Sequence, residues 1–202
     1  MSRHRENKGD IILQAAQEEF LEKGFDGART VDIAKRAEVT HAMLHYYYNT
    51  KEELFEQVVA RIFVIFKRSV VDFFLDESTN LRERVRNGIA RHFDFIAENP
   101  LLPRFLLCEL PRHKEFYPMF RNYIIPQLSS MKEYISGEIA KSNPDNSDVS
   151  IKLFHYFFDI ISMNVASVMT APIIEGISDI DPQQFISDRK EHILSMLDNI
   201  PL

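Results

Sequence analysis

Residues 28–55 read ARTVDIAKRAEVTHAMLHYYYNTKEELF, and this stretch decides the fold. Two short helical patterns meet there across a tight polar joint, followed by a run of aromatics and a Lys-Glu pair. Thr30 is placed to cap the first helix, because a Ser/Thr hydroxyl accepts from a free N–H of the first turn. The inward face of that helix would be Val31, Ile33, Ala34 and Ala37. Glu38, Val39 and Thr40 leave room only for a turn, with Val39 as the apolar plug where two helices cross. Thr40 then caps a second helix over residues 41–47, with Leu44 and Tyr47 turned inward. Helices joined by so short a turn make a helix-turn-helix, whose second helix enters the major groove of DNA.

Working outward, residues 8–23 set Ile12, Ala15, Ala16 and Phe20 on one helical face. Gly24 ends that helix as a C-cap glycine, and Phe25 folds back onto the small core. Thr50 caps a fourth helix, where Glu53 completes an S/T-x-x-E box. Leu54, Phe55, Val58, Val59, Ile62, Phe66 and Val70 continue its apolar stripe to about Leu75, so this helix is the expected link to whatever follows.

Over residues 12–54 the chain resembles the tetracycline-repressor (TetR) family of bacterial regulators. The matching residues are Ile12, Ala15, Ala16, Phe20, Gly24, Phe25, Thr30, Ile33, Ala34, Ala37, Val39, Thr40, Leu44, Tyr47, Lys51, Glu52 and Leu54. The resemblance implies an all-α chain: an N-terminal three-helix DNA-binding domain over residues 1–51, and a helical ligand-binding and dimerisation domain over residues 52–202. It also implies that Thr40, His45 and Tyr46 touch phosphates or bases, while His41 and Met43 lie along the groove floor. Met43 would meet a thymine methyl. Arg29 is a candidate for guanine or phosphate, Thr30 for a phosphate at its helix N-terminus, and Lys51 for the main phosphate anchor. Three positions depart from the family: Glu38 and Ala42 stand where Gly is common, and His45 where a Tyr usually touches phosphate. Glu38 costs little if the turn keeps a negative φ.

The net charge is −6, yet residues 1–51 carry eight basic and eight acidic groups, so the acid excess lies beyond them. Glu18, Glu19 and Glu22 cluster on the first helix and can face away from DNA. Arg3, Arg5, Lys8, Arg29, Lys35, Arg36 and Lys51 would form the phosphate-facing edge. So modest an edge implies salt-sensitive binding that needs two subunits.

Further on, residues 80–98 form a helix with Val85, Ile89, Phe93 and Ile96 inward, stopped by Asn99-Pro100. Residues 101–110 make a short apolar helix, and residues 115–141 a long one kinked near Pro118 and Pro126. Residues 142–147 are a loop, followed by an apolar helix over 148–170, a loop after Pro172 and Gly176, and a last amphipathic helix starting at Asp181-Pro182. Residues 153–174 approach the roughly 20 apolar residues that a bilayer requires. Asp159 within that run, Pro172 and the lack of a flanking basic cluster argue against a membrane. A helix apolar on most faces is buried on both sides, here against its own domain and its twin. A homodimer through the last two helices follows.

His92, Phe93, Phe105, Cys108, His113, Phe116, Phe120, Tyr123, His155, Phe158 and Asp159 are the candidate lining of a cavity for a small apolar or aromatic effector. Ordinary core is the competing reading for most of them. Cys108 is alone, which excludes an intramolecular disulfide. The N-terminal MSRHRENKGD has no apolar signal core, so a cytoplasmic protein is expected. His41 and His45 share a helix face, but only Glu38 stands near to complete a metal site, so no metal and no cofactor are expected. No catalytic constellation appears, which argues against an enzyme. The expected function is a regulator, in the repressor sense, that binds a near-palindromic operator as a homodimer and is released by its effector. Two alternatives stand beside it: a helical ligand-binding protein without operator binding, motivated by the uncharged balance of residues 1–51, and a helical enzyme.

Overall fold

The computed structural model describes residues 8–72, 78–142 and 149–197. Arg3, Arg5, Leu75 and the loop residues 143–147 lie outside them. All described elements are helical: α1 (Lys8–Gly27), α2 (Thr30–Arg36), α3 (His41–Tyr47), α4 (Lys51–Phe66), α5 (Leu81–Glu98), α6 (Leu101–Arg104), α7 (Tyr117–Ser142), α8 (Val149–Ile177) and α9 (Pro182–Met196). Wide turns follow α4 over Lys67–Val71 and α6 over Phe105–Glu109. The chain is all-α, as the sequence implies.

Two compact units divide it. The first holds the described residues up to Val64 together with Phe105–Phe120. Its core is Ile12, Ala15, Ala16, Phe20, Ile33, Ala34, Leu44, Leu54, Phe55 and Val58, all buried. Aromatic rings close it: Phe20 meets Phe55 edge-on at 5.1 Å, and Phe25 meets Phe55 at 5.0 Å. The later segment adds Phe116, 4.5 Å from Phe55, and Phe105, 5.7 Å from Phe55. Offset and edge-on rings of this kind add about 0.5–1.5 kcal/mol per pair beyond simple burial.

The second unit holds Ile65–Arg104 and the described chain from Arg121 onward. Here α5, α8 and α9 pack together. Side-chain caps fix the helix starts: Asn80 accepts from Glu83 N–H at 3.0 Å, and Asp181 from Gln184 N–H at 2.8 Å. Val85, Ile89, Phe93 and Ile96 are buried along α5, as their spacing predicts. Ile193 and Leu197 bury the end of α9.

Several expectations are corrected. The first helix does break at Gly24, which takes φ 73° and ψ 176° as a helix-ending glycine can, but one more turn follows the break and runs to Gly27. α8 runs through Pro172 and Gly176 to Ile177 instead of yielding to a loop. Residues 101–112 are helical without a break, but the pitch changes from α to π over Phe105–Glu109 and to 3₁₀ over Leu110–Arg112. The helix of α4 continues past Phe66, but with π-helical pitch over Lys67–Val71, where Val70 is buried. Only about a fifth of the apolar window His155–Ile177 is buried, at 22%. Phe158 is 61% exposed and Ile177 75% exposed, so one side of α8 is uncovered in a single subunit.

Candidate nucleic-acid interface

The helix-turn-helix is built by backbone geometry that reads residue by residue. Arg29, not Thr30, is the cap residue of α2, with extended φ −120° and ψ 133° and no side-chain cap bond. Its carbonyl accepts from the N–H groups of Asp32 and Ile33, both at 3.0 Å. Thr30 falls inside the first turn, and its hydroxyl instead pairs with His41 Nε2 at 2.9 Å. Val31 is 59% exposed, contrary to the inward reading. Two residues along a helix rotate by about 200°, so Val31 and Ile33 cannot share a face.

At the far end of α2, Glu38 N–H donates to Lys35 O at 3.2 Å and Val39 N–H to Ala34 O at 3.0 Å. This pair of bonds is a Schellman motif, which requires a left-handed residue at its centre. Glu38 supplies it at φ 54°, so the condition under which it would cost little, a negative φ, is not met. Thr40 then caps α3 by accepting from Met43 N–H at 3.2 Å. Leu44 is fully buried and anchors α3, while Tyr47 is 37% exposed and lies edge-on to Tyr46, not inward.

The outer side of α3 is polar and aromatic. His41, His45 and Tyr46 are exposed, Tyr46 by 83%, and Met43 is half-buried. The His41 and His45 rings meet edge-on with centroids 4.4 Å apart and Nε2 atoms 3.2 Å apart. His45 Nδ1–H donates to Asn49 O at 3.2 Å. Asn49 thereby joins the site unforeseen; its position four residues after His45 was the available signal. Tyr48 donates to Gly9 O at 3.2 Å, tying the end of α3 to α1, and burial raises its phenol pKa.

The basic groups divide. Arg29 and Lys35 are exposed. Arg36 is taken: its guanidinium reaches Glu22 at 2.7 Å, Glu19 at 3.1 Å and Glu18 at 3.2 Å. These bonds push its pKa up and hold the Glu22 carboxyl below its usual range. Arg36 therefore clamps α2 to α1 and does not belong to a phosphate-facing edge. Lys51 Nζ sits 4.6 Å over the Phe25 ring and donates to Asp26 O at 3.4 Å. Thr50 accepts from Glu53 N–H, and the Glu53 carboxylate returns to Asn49 N–H, both at 3.0 Å.

The candidate effector residues fall into the two units. Phe105, His113, Phe116 and Phe120 are buried in the first, and Cys108 there is exposed. In the second, His92 and Phe93 are buried, Tyr123 is half-buried, and His155, Phe158 and Asp159 are exposed. Around His92 lies a buried polar group of residues. Asn164 Nδ2 donates to His92 Nδ1 at 3.0 Å and to Ile89 O at 3.3 Å, while Asn164 Oδ1 is buried with no partner. Burial pulls the His92 pKa down to about 4, so its ring is neutral.

A family model described as bacterial regulatory proteins of the tetR family matches residues 12–58. The icaADBC biofilm-operon negative transcriptional regulator IcaR of Staphylococcus aureus (strain Newman) is 39% identical over 132 residues, 65% of this chain and 67% of that protein. The transcriptional repressor NicS of Pseudomonas putida is 30% identical over 100 residues, 50% of this chain and 47% of that protein. The chain spans about half or less of the length of NicS and similar relatives. In fold, the fatty acid degradation regulator FadR from Bacillus halodurans superposes with a TM-score of 0.64 at 19% identity, covering 95% of this chain and 97% of that one.

Proposed function

Because this chain belongs to the tetR family of bacterial regulatory proteins and is a DNA-binding transcriptional regulator, we propose that it is a homodimeric repressor released from a near-palindromic operator by a small apolar or aromatic effector. The observation that carries this is the outer side of α3: His41, His45 and Tyr46 stand exposed on a helix pinned by Leu44 beneath and capped by Thr40. Arg29, Thr30, Thr40, His41, Met43, His45, Tyr46 and Lys51 are the proposed contacts, reading base edges and phosphates together. The repressor sense follows the names of IcaR and NicS. The proposed functional division follows residue 51, with DNA contact in residues 1–51 and effector binding and dimerisation in residues 52–202.

Two recognition helices must stand about 34–36 Å apart to meet successive major grooves. An effector that prefers another spacing weakens operator binding by its difference in affinity for the two states. Its proposed place is the second unit around His92, where the unpartnered Asn164 Oδ1 would accept from a donor on an otherwise apolar molecule.

Gel retardation of the DNA upstream of the coding sequence, at low and then rising salt, tests the reading. A retarded, salt-sensitive complex that disappears in the Tyr46→Ala/His41→Ala double variant is expected. No retardation by the intact protein even at low salt would leave a ligand-binding protein without operator binding.

A further inference from the structure

His41 and His45 are one helical turn apart on α3, where side chains four residues apart face the same way. Both rings are exposed, and their Nε2 atoms are 3.2 Å apart. Two imidazole nitrogens bound to one tetrahedral zinc at about 2.0–2.1 Å sit about 3.3 Å from each other. The ring nitrogens therefore already hold the separation that a shared ion imposes.

Proton accounting supports the same arrangement. The Asn49 carbonyl oxygen can only accept, so the facing His45 Nδ1 carries the hydrogen. A neutral His45 then presents a bare lone pair at Nε2. Metal-binding histidines characteristically donate their second N–H to a backbone carbonyl, which fixes the tautomer and turns the ligating nitrogen outward. Without an ion, His41 Nε2 carries the hydrogen shared with that lone pair at 3.2 Å, and the Thr30 hydroxyl lies 2.9 Å away. An ion takes the place of this hydrogen as His41 shifts to its Nδ1–H tautomer.

From this juxtaposition we propose that His41 Nε2 and His45 Nε2 chelate one divalent transition ion of the zinc, nickel and copper group, with water in the remaining positions. Imidazole selects these ions over magnesium and calcium, which take oxygen ligands. No described carboxylate or thiolate forms a cluster of three with other such ligands, so the site is open and solvent-facing. On the proposed function, which places α3 in the major groove, an ion held there would lie at the DNA surface with positions still open. The binding itself does not depend on operator recognition.

The test is a titration of the untagged full chain with zinc alone, followed by calorimetry and by the histidine ring signals in NMR. One ion per chain is expected, with shifts at His41 and His45. His41→Gln and His45→Gln should each weaken binding by about tenfold or more, since one imidazole loses the gain of a second held at high effective concentration. His192→Gln, on exposed α9, should leave it unchanged. Circular dichroism of the variants checks that the helices remain. Zinc affinity unaltered in both α3 variants, or zinc-induced shifts confined to other histidines, overturns the site, whatever the gel retardation shows.

Discussion

At the residue scale, Glu38 and His92 are held in states their neighbours impose. Glu38 occupies the left-handed centre of the Schellman turn at φ 54° because the turn of a helix-turn-helix has no spare residue to avoid it. An L side chain there costs about 1–2 kcal/mol, against about 0.5–1 kcal/mol of extra chain entropy that Gly forfeits on folding. Glu38→Gly should therefore raise stability by about 0.5–1 kcal/mol in a urea titration, and a clear loss of stability would contradict the strain. His92 is the opposite case, a base kept neutral by burial with its pKa near 4. The unfolded ring takes a proton near pH 6.5 and the folded ring only near 4, so the unfolded state gains as pH falls through that window. At pH 5 the linkage amounts to about 2 kcal/mol relative to neutral pH. His92→Gln should flatten the acid side of the stability curve by that order, read as the difference in urea midpoints at pH 7 and pH 5. An identical slope in both proteins would mean that His92 is not the group responsible.

At the scale of elements, Gly24 shows how a long-range segment shapes a local break. Its φ 73° and ψ 176° fall where only glycine is at ease, and an added Cβ would stand 2.3 Å from Glu109 Oε2. A carboxylate can swing aside, but backbone strain cannot, so Gly24→Ala should cost about 1–3 kcal/mol. Adding Glu109→Ala should recover little of it; full recovery in thermal melts would put the cost in the clash instead. The helix starts were legible because their determinants are local: Thr40, Thr50, Asn80 and Asp181 each cap the turn that follows them. Although Tyr47 departs from the inward side expected of it, most of the α3 face was legible for the same reason, with Leu44 inward and His41, His45 and Tyr46 outward. Three features were not. The packing of residues 105–120 onto Phe25 and Phe55 pairs positions far apart in the chain. The Arg36 clamp joins two helices through side chains that composition places on a basic edge. The run of α8 past Pro172 survives because one missing N–H costs a single bond in a helix of 29 residues.

At the scale of the whole molecule, α8 poses the question of what covers its outer side. Ile160, Asn164, Val168 and Ala171 are buried along one stripe, and Asn164 bonds into α5 through Ile89 O and His92. A helix so attached to its own subunit is not a free membrane span, where lipid would surround it and a buried amide would have no such partners. Phe158 and Ile173 are exposed and lie within about 60° of each other around the helix axis. Apolar side chains grouped this way mark an association surface. A second copy related by a two-fold axis would lay the same stripe against itself, as isologous dimers do. Phe158→Glu with Ile173→Glu would set like charges in that seam while leaving the buried stripe untouched. Sedimentation equilibrium should then show a dimer for the native protein and a monomer for the double variant. Operator retardation should fall far more than helicity, because a single α3 makes too few phosphate contacts to hold DNA. A native protein that sediments as a monomer, or a double variant that stays dimeric, would move the interface elsewhere. Partition of the native protein into lipid vesicles would assign the uncovered stripe to a membrane surface instead.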